Sequence, residues 1–325
     1  MFQSDANGPP ASNRTGSRRS WPLQVGYGNA MAHHGEILQG VFRNDDGRLH
    51  RGLLTLPLAG KVSHVTFWPD DGPGIRTRPE GRAKAARAAR LALNELGHLN
   101  AEGSLTIEST IPLGCGYGSS TADVVASICA VAAAARMQIS RTTLCRLSVA
   151  AETATDAIAF GGQAVLFAHR EGRVLEYLSG DYPPLYTIGF SSSDDQPVDT
   201  LEMPPARYTG KEIETFRVLR GHMRHAIAQQ DPRSIGRVAS ASARINQNYL
   251  PKRRFDDLLR LAQNGGALGV QVSHSGNRMG ILLDALEDGS ADRAESIAQA
   301  AQNEGFTDII RFAVNADSAP SWVLE

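Results

Sequence analysis

Residues 112–122 read Pro-Leu-Gly-Cys-Gly-Tyr-Gly-Ser-Ser-Thr-Ala and lie between an alternating apolar pattern at residues 105–109 and an Ala-rich stretch at residues 121–137. The alternation predicts a strand, and the Ala-rich composition predicts a buried helix. Glycines in the connecting loop let backbone N–H groups approach a phosphate, and the dipole of the following helix favours negative charge there. Ser119 and Ser120 stand at the expected N-cap, where a hydroxyl can satisfy free amides or reach a metal ion. The segment therefore predicts a phosphate-binding loop; a serine-capped turn with glycines at positive φ is the purely structural alternative.

The composition of the chain excludes several classes of function. The 325 residues carry 33 Lys and Arg against 34 Asp and Glu, a formal net charge of −1. Such a balance provides no bulk field for nucleic acid or an anionic membrane, so neither is expected as a partner. The three cysteines contain no CxxC pair, which argues against a disulfide framework or a structural zinc site. Reduced thiols and a cytoplasmic location are the simpler expectation.

The first 20 residues are rich in Ser, Asn, Gly, Pro and Arg and lack periodic hydrophobicity, so we expect a disordered leader. Residues 17–21, Ser-Arg-Arg-Ser-Trp, are weakly similar to a twin-arginine export signal. The residues that follow make a poor apolar region because they include Pro22, Gln24 and Gly26. Export is retained as a minor alternative.

The remaining patterns predict an α+β chain in two domains. Helical patterns lie at residues 82–96, 121–137, 142–153, 211–229, 233–247 and 255–264. Strand patterns lie at residues 53–58, 62–68, 105–109, 163–169, 269–273 and 279–283. A turn is expected at Gly60-Lys61 between the first two strands. Pro- and Asp-rich stretches at 180–184 and 191–197 indicate a boundary, which gives domains at 21–185 and 186–325.

The loop at 112–122 resembles the second motif of the GHMP kinases, Pro-x-x-x-Gly-Leu-Gly-Ser-Ser-Ala, with Tyr117 and Thr121 as substitutions. Further segments resemble the branch of this family that includes the bacterial L-threonine kinases associated with propanediol utilisation and cobalamin. These segments are residues 35–40 (Gly-Glu-Ile-Leu-Gln-Gly), 54–58, 198–200, 242–247 and 269–276. The resemblance runs in order from about residue 25 to 285. It implies a ribosomal-S5-like N-terminal domain, a ferredoxin-like C-terminal domain, an active site between them, and ATP and Mg²⁺ as cofactors.

The same resemblance assigns roles to the loop and to two carboxylates. ATP would be bound by Pro112, Gly114, Gly116, Tyr117, Gly118, Ser119, Ser120 and Thr121. Ser120 and Glu152 would hold the metal, and Asp156 would be the catalytic base or a group that only positions the substrate. If the helix at 142–153 continues, the spacing of Glu152 and Asp156 puts both carboxylates on one face. A solvated pair of carboxylates is the structural alternative.

Nine residues are predicted to line the substrate side of the cleft. They are His34, Glu36, Gln39, Asp199, Thr200, Ser273, His274, Ser275 and Gly276. A carboxylate at Glu36 suits the ammonium group of an amino acid. The sequence departs from the family pattern at residues 31–34, where it has Met-Ala-His-His and the resemblance leads us to expect Pro-Ala-Ser-Cys. A histidine pair titrates near neutral pH, but without a third ligand it does not predict a metal site.

The function implied is ATP-dependent phosphorylation of L-threonine to O-phospho-L-threonine, which in this branch feeds the aminopropanol arm of cobalamin biosynthesis. Serine, homoserine or a building block of a specialised pathway are alternative acceptors, because they differ by a methyl or methylene group. A nucleotide-binding regulatory protein without turnover is the alternative from another class. A homodimer is left open.

Overall fold

The computed structural model describes residues 22–45, 47–114, 116–191 and 206–316. Within these residues the chain forms seven α-helices and ten strands. The helices are α1 (Ala83–Glu95), α2 (Ser119–Ala134), α3 (Arg141–Glu152), α4 (Gly210–Ala228), α5 (Pro232–Asn246), α6 (Phe255–Asn264) and α7 (Ser290–Asn303). The strands are β1 (Gly26–Arg43), β2 (Leu49–Asp70), β3 (Ile75–Arg78), β4 (Glu102–Ser109), β5 (Gln163–Ala168), β6 (Arg173–Asp181), β7 (Leu185–Ser191), β8 (Gly269–Val272), β9 (Met279–Asp284) and β10 (Thr307–Val314). A short 3-10 helix covers Ala157–Phe160 between α3 and β5.

The strands join in one sheet with the order β10-β7-β9-β8-β1-β2-β4-β3, and β5 and β6 pair beside β2. Antiparallel β1 and β2 form its centre. The C-terminal strands reach β1 only through β8, where Glu36 lies opposite Val272 among the described residues. The buried apolar side chains form a large cluster under β1, β2 and α2, and a smaller one between β7–β9, α6 and α7. This arrangement places Glu36 where the two parts of the molecule meet.

Two glycines of β1 fix how α2 lies on the sheet. A Cβ atom on Gly26 would stand 2.1 Å from the carbonyl oxygen of Ala130, and one on Gly28 would stand 2.2 Å from that of Ala126. Any side chain at either position would therefore push the helix away from the strand. The close contact holds α2 against β1, and the His33 N–H donates to the Tyr117 carbonyl at 3.1 Å, which places Ser119 and Ser120 near His33.

A second contact ties α5 to β1. The Gln39 backbone N–H donates to Ser242 Oγ at 3.0 Å, and Asn246 Nδ2 donates to the Gln39 carbonyl at 3.1 Å. These side chains supply hydrogen-bond partners for the backbone groups of Gln39. They also hold the C-terminal helices against the N-terminal strands.

The structure corrects two predictions about elements. Residues 53–58 and 62–68 are not separate strands, because β2 continues through both. Its partner pairing jumps from Met31 opposite Val62 to Ala32 opposite Leu58, so the expected turn is a bulge within one strand. The second correction concerns α3, which ends at Glu152 because Thr153 takes a φ of +72°. The argument that Glu152 and Asp156 share a helix face is therefore wrong.

Other predictions of organisation stay untested. The leader at 1–20 and the substrate residues Asp199 and Thr200 lie outside the described residues. The boundary near residue 185 stays a prediction, although β7 begins there and pairs with β9 and β10. In the part of the chain that the structure describes, no helix is long and apolar enough to cross a membrane.

Candidate active site

The glycine loop turns sharply before α2 begins. Gly114, Gly116 and Gly118 have φ values of +70°, +78° and +72°, a region that other residues enter only with strain. Position 118 also has no room for a side chain, since a Cβ atom there would stand 2.3 Å from Cδ2 of His33. The loop therefore brings the free N–H groups at the start of α2 to an opening in the surface.

That opening leads to a cavity of about 450 Å³ shared by both parts of the molecule. Its walls are the glycine loop with the start of α2, residues 152–156 after α3, and the turn at 274–276 between β8 and β9. Three single side chains complete it: Lys84 from α1, His33 from β1 and His169 after β5. Segments far apart in sequence thus converge on one space large enough for a small-molecule ligand.

One end of the cavity has the features of a cation site. Ser120 Oγ lies 3.2 Å from Glu152 Oε2, and Glu152 Oε1 is buried without a hydrogen-bond partner among the described residues. Burial, and then the charge of Asp156, raise the pKa of Glu152 to about 7. A hydroxyl and a desolvated carboxylate with a free oxygen are ligands suited to Mg²⁺, whose charge would offset the cost of burial.

A buried ion pair stands beside this end. His33 Nε2 lies 2.9 Å from Asp156 Oδ2, while His33 Nδ1 and Asp156 Oδ1 are buried and have no hydrogen-bond partner in the described part of the chain. Burial by itself would raise the pKa of Asp156, but His33 outweighs burial and holds that pKa below its ordinary value. Burial also disfavours charge on His33, yet Asp156 overcomes this and raises the pKa of His33. Asp156 is therefore a carboxylate at neutral pH, and it lines the cavity.

A second histidine–carboxylate pair lies on the far side, where His274 lines the wall and Glu36 is buried behind it. His274 donates its backbone N–H to Glu36 Oε2 at 2.5 Å, and its Nδ1 lies 2.7 Å from Glu36 Oε1. Burial lowers the pKa of His274, but the charge of Glu36 and this hydrogen bond raise it to about 9. The ring of His169 lies 5.3 Å from that of His274, and burial with that neighbour lowers the pKa of His169 to about 3. His274 is thus charged and His169 neutral at pH 7.

Several predicted residues lie outside the cavity wall. His34 is packed in the interior, where Gln271 Nε2 lies 2.6 Å from its Nδ1. Gln39 donates from Nε2 to the Val272 carbonyl at 3.1 Å, and Ser273 Oγ accepts from the Arg278 N–H at 3.1 Å. Pro112 and Tyr117 flank the loop; the buried Tyr117 ring lies 4.2 Å from the Arg278 guanidinium carbon. These residues shape the wall, whereas Gly114, Gly116, Gly118, Ser119, Ser120, Thr121, Glu152, Asp156, His274, Ser275 and Gly276 reach it.

Sequence reasoning missed three ionisable residues of the wall, His33, His169 and Lys84, and also Thr153, Ala154 and Thr155. For His33 a signal existed, because successive residues of a strand point to opposite faces. His34 faces the core, so His33 points to the opposite side of β1, where it lines the cavity. His169 and Lys84 are brought to the cavity by long-range packing and had no local signal.

Comparison with known proteins relates this architecture to characterised chains. The family model described as "GHMP kinases N terminal domain" matches residues 83–169. An L-threonine kinase of Salmonella typhimurium is 30% identical over 263 residues, covering 80% of this chain and 83% of that protein. An L-threonine kinase of Citrobacter freundii is 32% identical over 190 residues, 58% of this chain and 64% of that protein, so this match spans slightly less than two thirds of the relative.

Solved structures share the fold at lower identity. The homoserine kinase of Cytophaga hutchinsonii superposes with a TM-score of 0.68 at 16% identity, over 90% of this chain and 95% of that one. The L. major mevalonate kinase, solved in complex with R-mevalonate, gives a TM-score of 0.60 at 15% identity, over 91% and 97%. At these identities the similarity establishes the α+β two-domain fold alone and confirms that prediction.

Proposed function

Since the chain belongs to the GHMP kinases, we propose that it transfers the γ-phosphate of ATP to the side-chain hydroxyl of a small hydroxy amino acid, with L-threonine as the acceptor. The observation that carries the proposal is the single cavity into which the glycine loop, Glu152 and Asp156 all open. Phosphoryl transfer needs these three elements together: a phosphate cradle, a cation site and a group for the attacking hydroxyl.

The phosphate end is the loop and the N-terminus of α2. Backbone N–H groups after Gly118 bind phosphate oxygens there, assisted by the helix dipole. Ser120 Oγ and Glu152 Oε1 would hold Mg²⁺, which when bound neutralises charge on the phosphates. Lys84, whose charge favours the ionised form of Glu152, adds a cation to the same end.

The hydroxyl end is Asp156. Its carboxylate accepts the proton of the acceptor hydroxyl as the hydroxyl oxygen bonds to the γ-phosphorus and the bond from that phosphorus to the ADP oxygen breaks. His33 positions the carboxylate through the bond to Oδ2 and keeps it ionised. The proton is then released from Asp156 to solvent.

The choice of threonine is supported by the two relatives, which are both named L-threonine kinases. Serine lacks one methyl group and homoserine places its hydroxyl one methylene further away. A pocket discriminates by about 1–3 kcal/mol for such a difference, so the preference should be strong but not absolute.

The test is an ADP-release assay of the full chain with MgATP and, separately, L-threonine, L-serine, L-homoserine and no acceptor. Threonine should give the highest kcat/KM, by roughly tenfold or more over serine. A preference for homoserine or serine would retain the kinase and change the acceptor. ATP binding without any acceptor-dependent ADP release would reject the proposal in favour of a nucleotide-binding regulator.

A further inference from the structure

We propose that His274 binds the carboxylate of the acceptor as an imidazolium oriented by Glu36, so that this wall of the cavity recognises the acid group of the substrate rather than its ammonium. The inference rests on the proposed function and names how that site selects its substrate class.

The geometry of Glu36 rules it out as the ammonium ligand expected from the sequence. Both of its oxygens are engaged by His274, one by the backbone N–H and one by Nδ1. The side chain is fully buried where β1 meets β8, and it does not line the cavity. Its negative charge therefore acts on the ligand only through the ring of His274.

His274 itself faces the ligand. Its ring lines the cavity, and because Nδ1 is committed to Glu36, Nε2 is the nitrogen left to donate to a ligand. One side-chain oxygen of Glu36, one of Asp156 and a ring nitrogen of His274 all lie within 4.8 Å of one another. In a β-hydroxy amino acid only two carbon atoms separate the hydroxyl oxygen from the carboxylate carbon. A hydroxyl at Asp156 thus brings the carboxylate to His274.

The other cationic groups of the described cavity wall are already assigned. His33 is paired with Asp156, and Lys84 acts on Glu152 at the phosphate end. His169 stays neutral at working pH because burial lowers its pKa to about 3. Among the described residues of the wall, His274 is the cation left for an anion beside Asp156.

The charge of His274 depends on every ionisable group that faces it. Burial opposes the imidazolium and so does Lys252, whereas Glu36 and Asp156 favour it, and the net effect raises its pKa to about 9. His33 and His169 face it as well. His274 therefore carries its charge over the whole neutral range and loses it only as the pH rises through about 9.

The experiment compares two acceptors that differ only in the acid group, L-threonine and L-threoninamide, with wild type and His274→Gln. In wild type the KM of threonine should be lower than that of threoninamide by at least about tenfold, the loss of one charged hydrogen bond. In His274→Gln the two KM values should converge, because only the threonine KM rises. The KM of ATP should not change. His64→Gln, an exposed histidine outside the cavity, is the matched control and should behave as wild type.

The pH dependence of the threonine KM in Glu36→Gln provides a second test. This dependence would not change if Glu36 and His274 only supported the structure of the wall. Removing the carboxylate lowers the pKa of His274, so the KM of threonine should begin to rise at a lower pH than in wild type. The titration of free threonine is the same for both proteins and cancels in the comparison. Identical pH profiles in folded protein would overturn the proposal, as would an equal rise of both KM values in His274→Gln. A rise in the KM of ATP alone would reassign His274 to a phosphate and also overturn it.

Calorimetric binding of the two acceptors to the ADP-bound full chain separates this inference from the proposed function. Binding of threonine at least about tenfold tighter than threoninamide, without phosphate transfer, would retain the carboxylate site and reject the kinase. Equal binding of the two acceptors, or binding of neither, would overturn the carboxylate site whatever the turnover.

Discussion

Replacing His33 by glutamine tests how the candidate base is kept ionised. His33 Nε2 lies 2.9 Å from Asp156 Oδ2, and both side chains are buried. Glutamine retains an N–H donor of similar reach but carries no charge. Burial, which His33 now outweighs, would then raise the pKa of Asp156. Since turnover requires the carboxylate, the acid limb of the kcat/KM profile should move to higher pH.

The size of the shift follows from the geometry. Two unit charges 2.9 Å apart attract by about 6 kcal/mol at an effective dielectric constant of about 20, which is an upper bound for a pair that can relax. Hydrogen bonds to charged groups contribute about 1.5–3 kcal/mol. One pKa unit corresponds to about 1.4 kcal/mol, so the acid limb should move up by about 1–2 pH units.

The assay is ADP release with saturating MgATP from pH 3 to 9, because the wild-type acid limb lies below the ordinary carboxyl pKa. Thermal unfolding is recorded at each pH to show that the protein is folded. His33→Lys is the matched control, because it restores a cation and should return the acid limb towards that of wild type. A His33→Gln profile that is lowered uniformly, with its acid limb unmoved, would show that His33 does not control the ionisation of Asp156 and only packs against it.

Three further variants test the remaining parts of the site. Asp156→Asn should lower kcat by about 10²–10⁴ while calorimetric binding of MgATP is retained; full activity would remove Asp156 from the mechanism. Glu152→Gln should raise the Mg²⁺ concentration for half-maximal rate at least about tenfold. The same variant should unfold at a higher temperature at pH 8, because a carboxyl whose pKa is raised to about 7 stabilises the fold below its ordinary pKa and loses that contribution as pH rises. Gly118→Ala should weaken ATP binding. It should also lower the free energy of unfolding by more than the roughly 1–2 kcal/mol that backbone strain costs, because the new Cβ atom would meet His33. Gly97 also has a positive φ but faces open space, so Gly97→Ala should lower the free energy of unfolding by the strain cost only.

Much of the fold can be predicted from the sequence because the signals for its helices and strands are local. The helix Phe255–Asn264 has the predicted bounds, and the Ala-rich composition after the glycine loop correctly predicts a buried helix. The error at residues 53–68 has a physical cause. Gly60 is typical of a turn, but β1 supplies pairing partners on both sides of it, so the backbone bulges and continues.

The site was harder to predict because its geometry comes from tertiary contacts. Glu152 and Asp156 both line the cavity, but they do so because Thr153 ends the helix at a positive φ. No local sequence pattern predicts that φ value. The sequence suggested Glu36 as an ammonium ligand, but its partner His274 is 238 residues away in the chain. The two residues come into contact through the pairing of β8 with β1, which the sequence does not predict. The loop residues were recognisable because a phosphate cradle is built from consecutive residues.

Phosphorus NMR of a reaction containing the full chain, MgATP and L-threonine would observe the proposed transfer itself. We expect loss of the γ-phosphate signal and growth of one phosphomonoester signal coupled to the threonine β-proton, matched by an equal amount of ADP. ADP accompanied only by inorganic phosphate, or no change beyond a reaction without the protein, would contradict the proposed transfer.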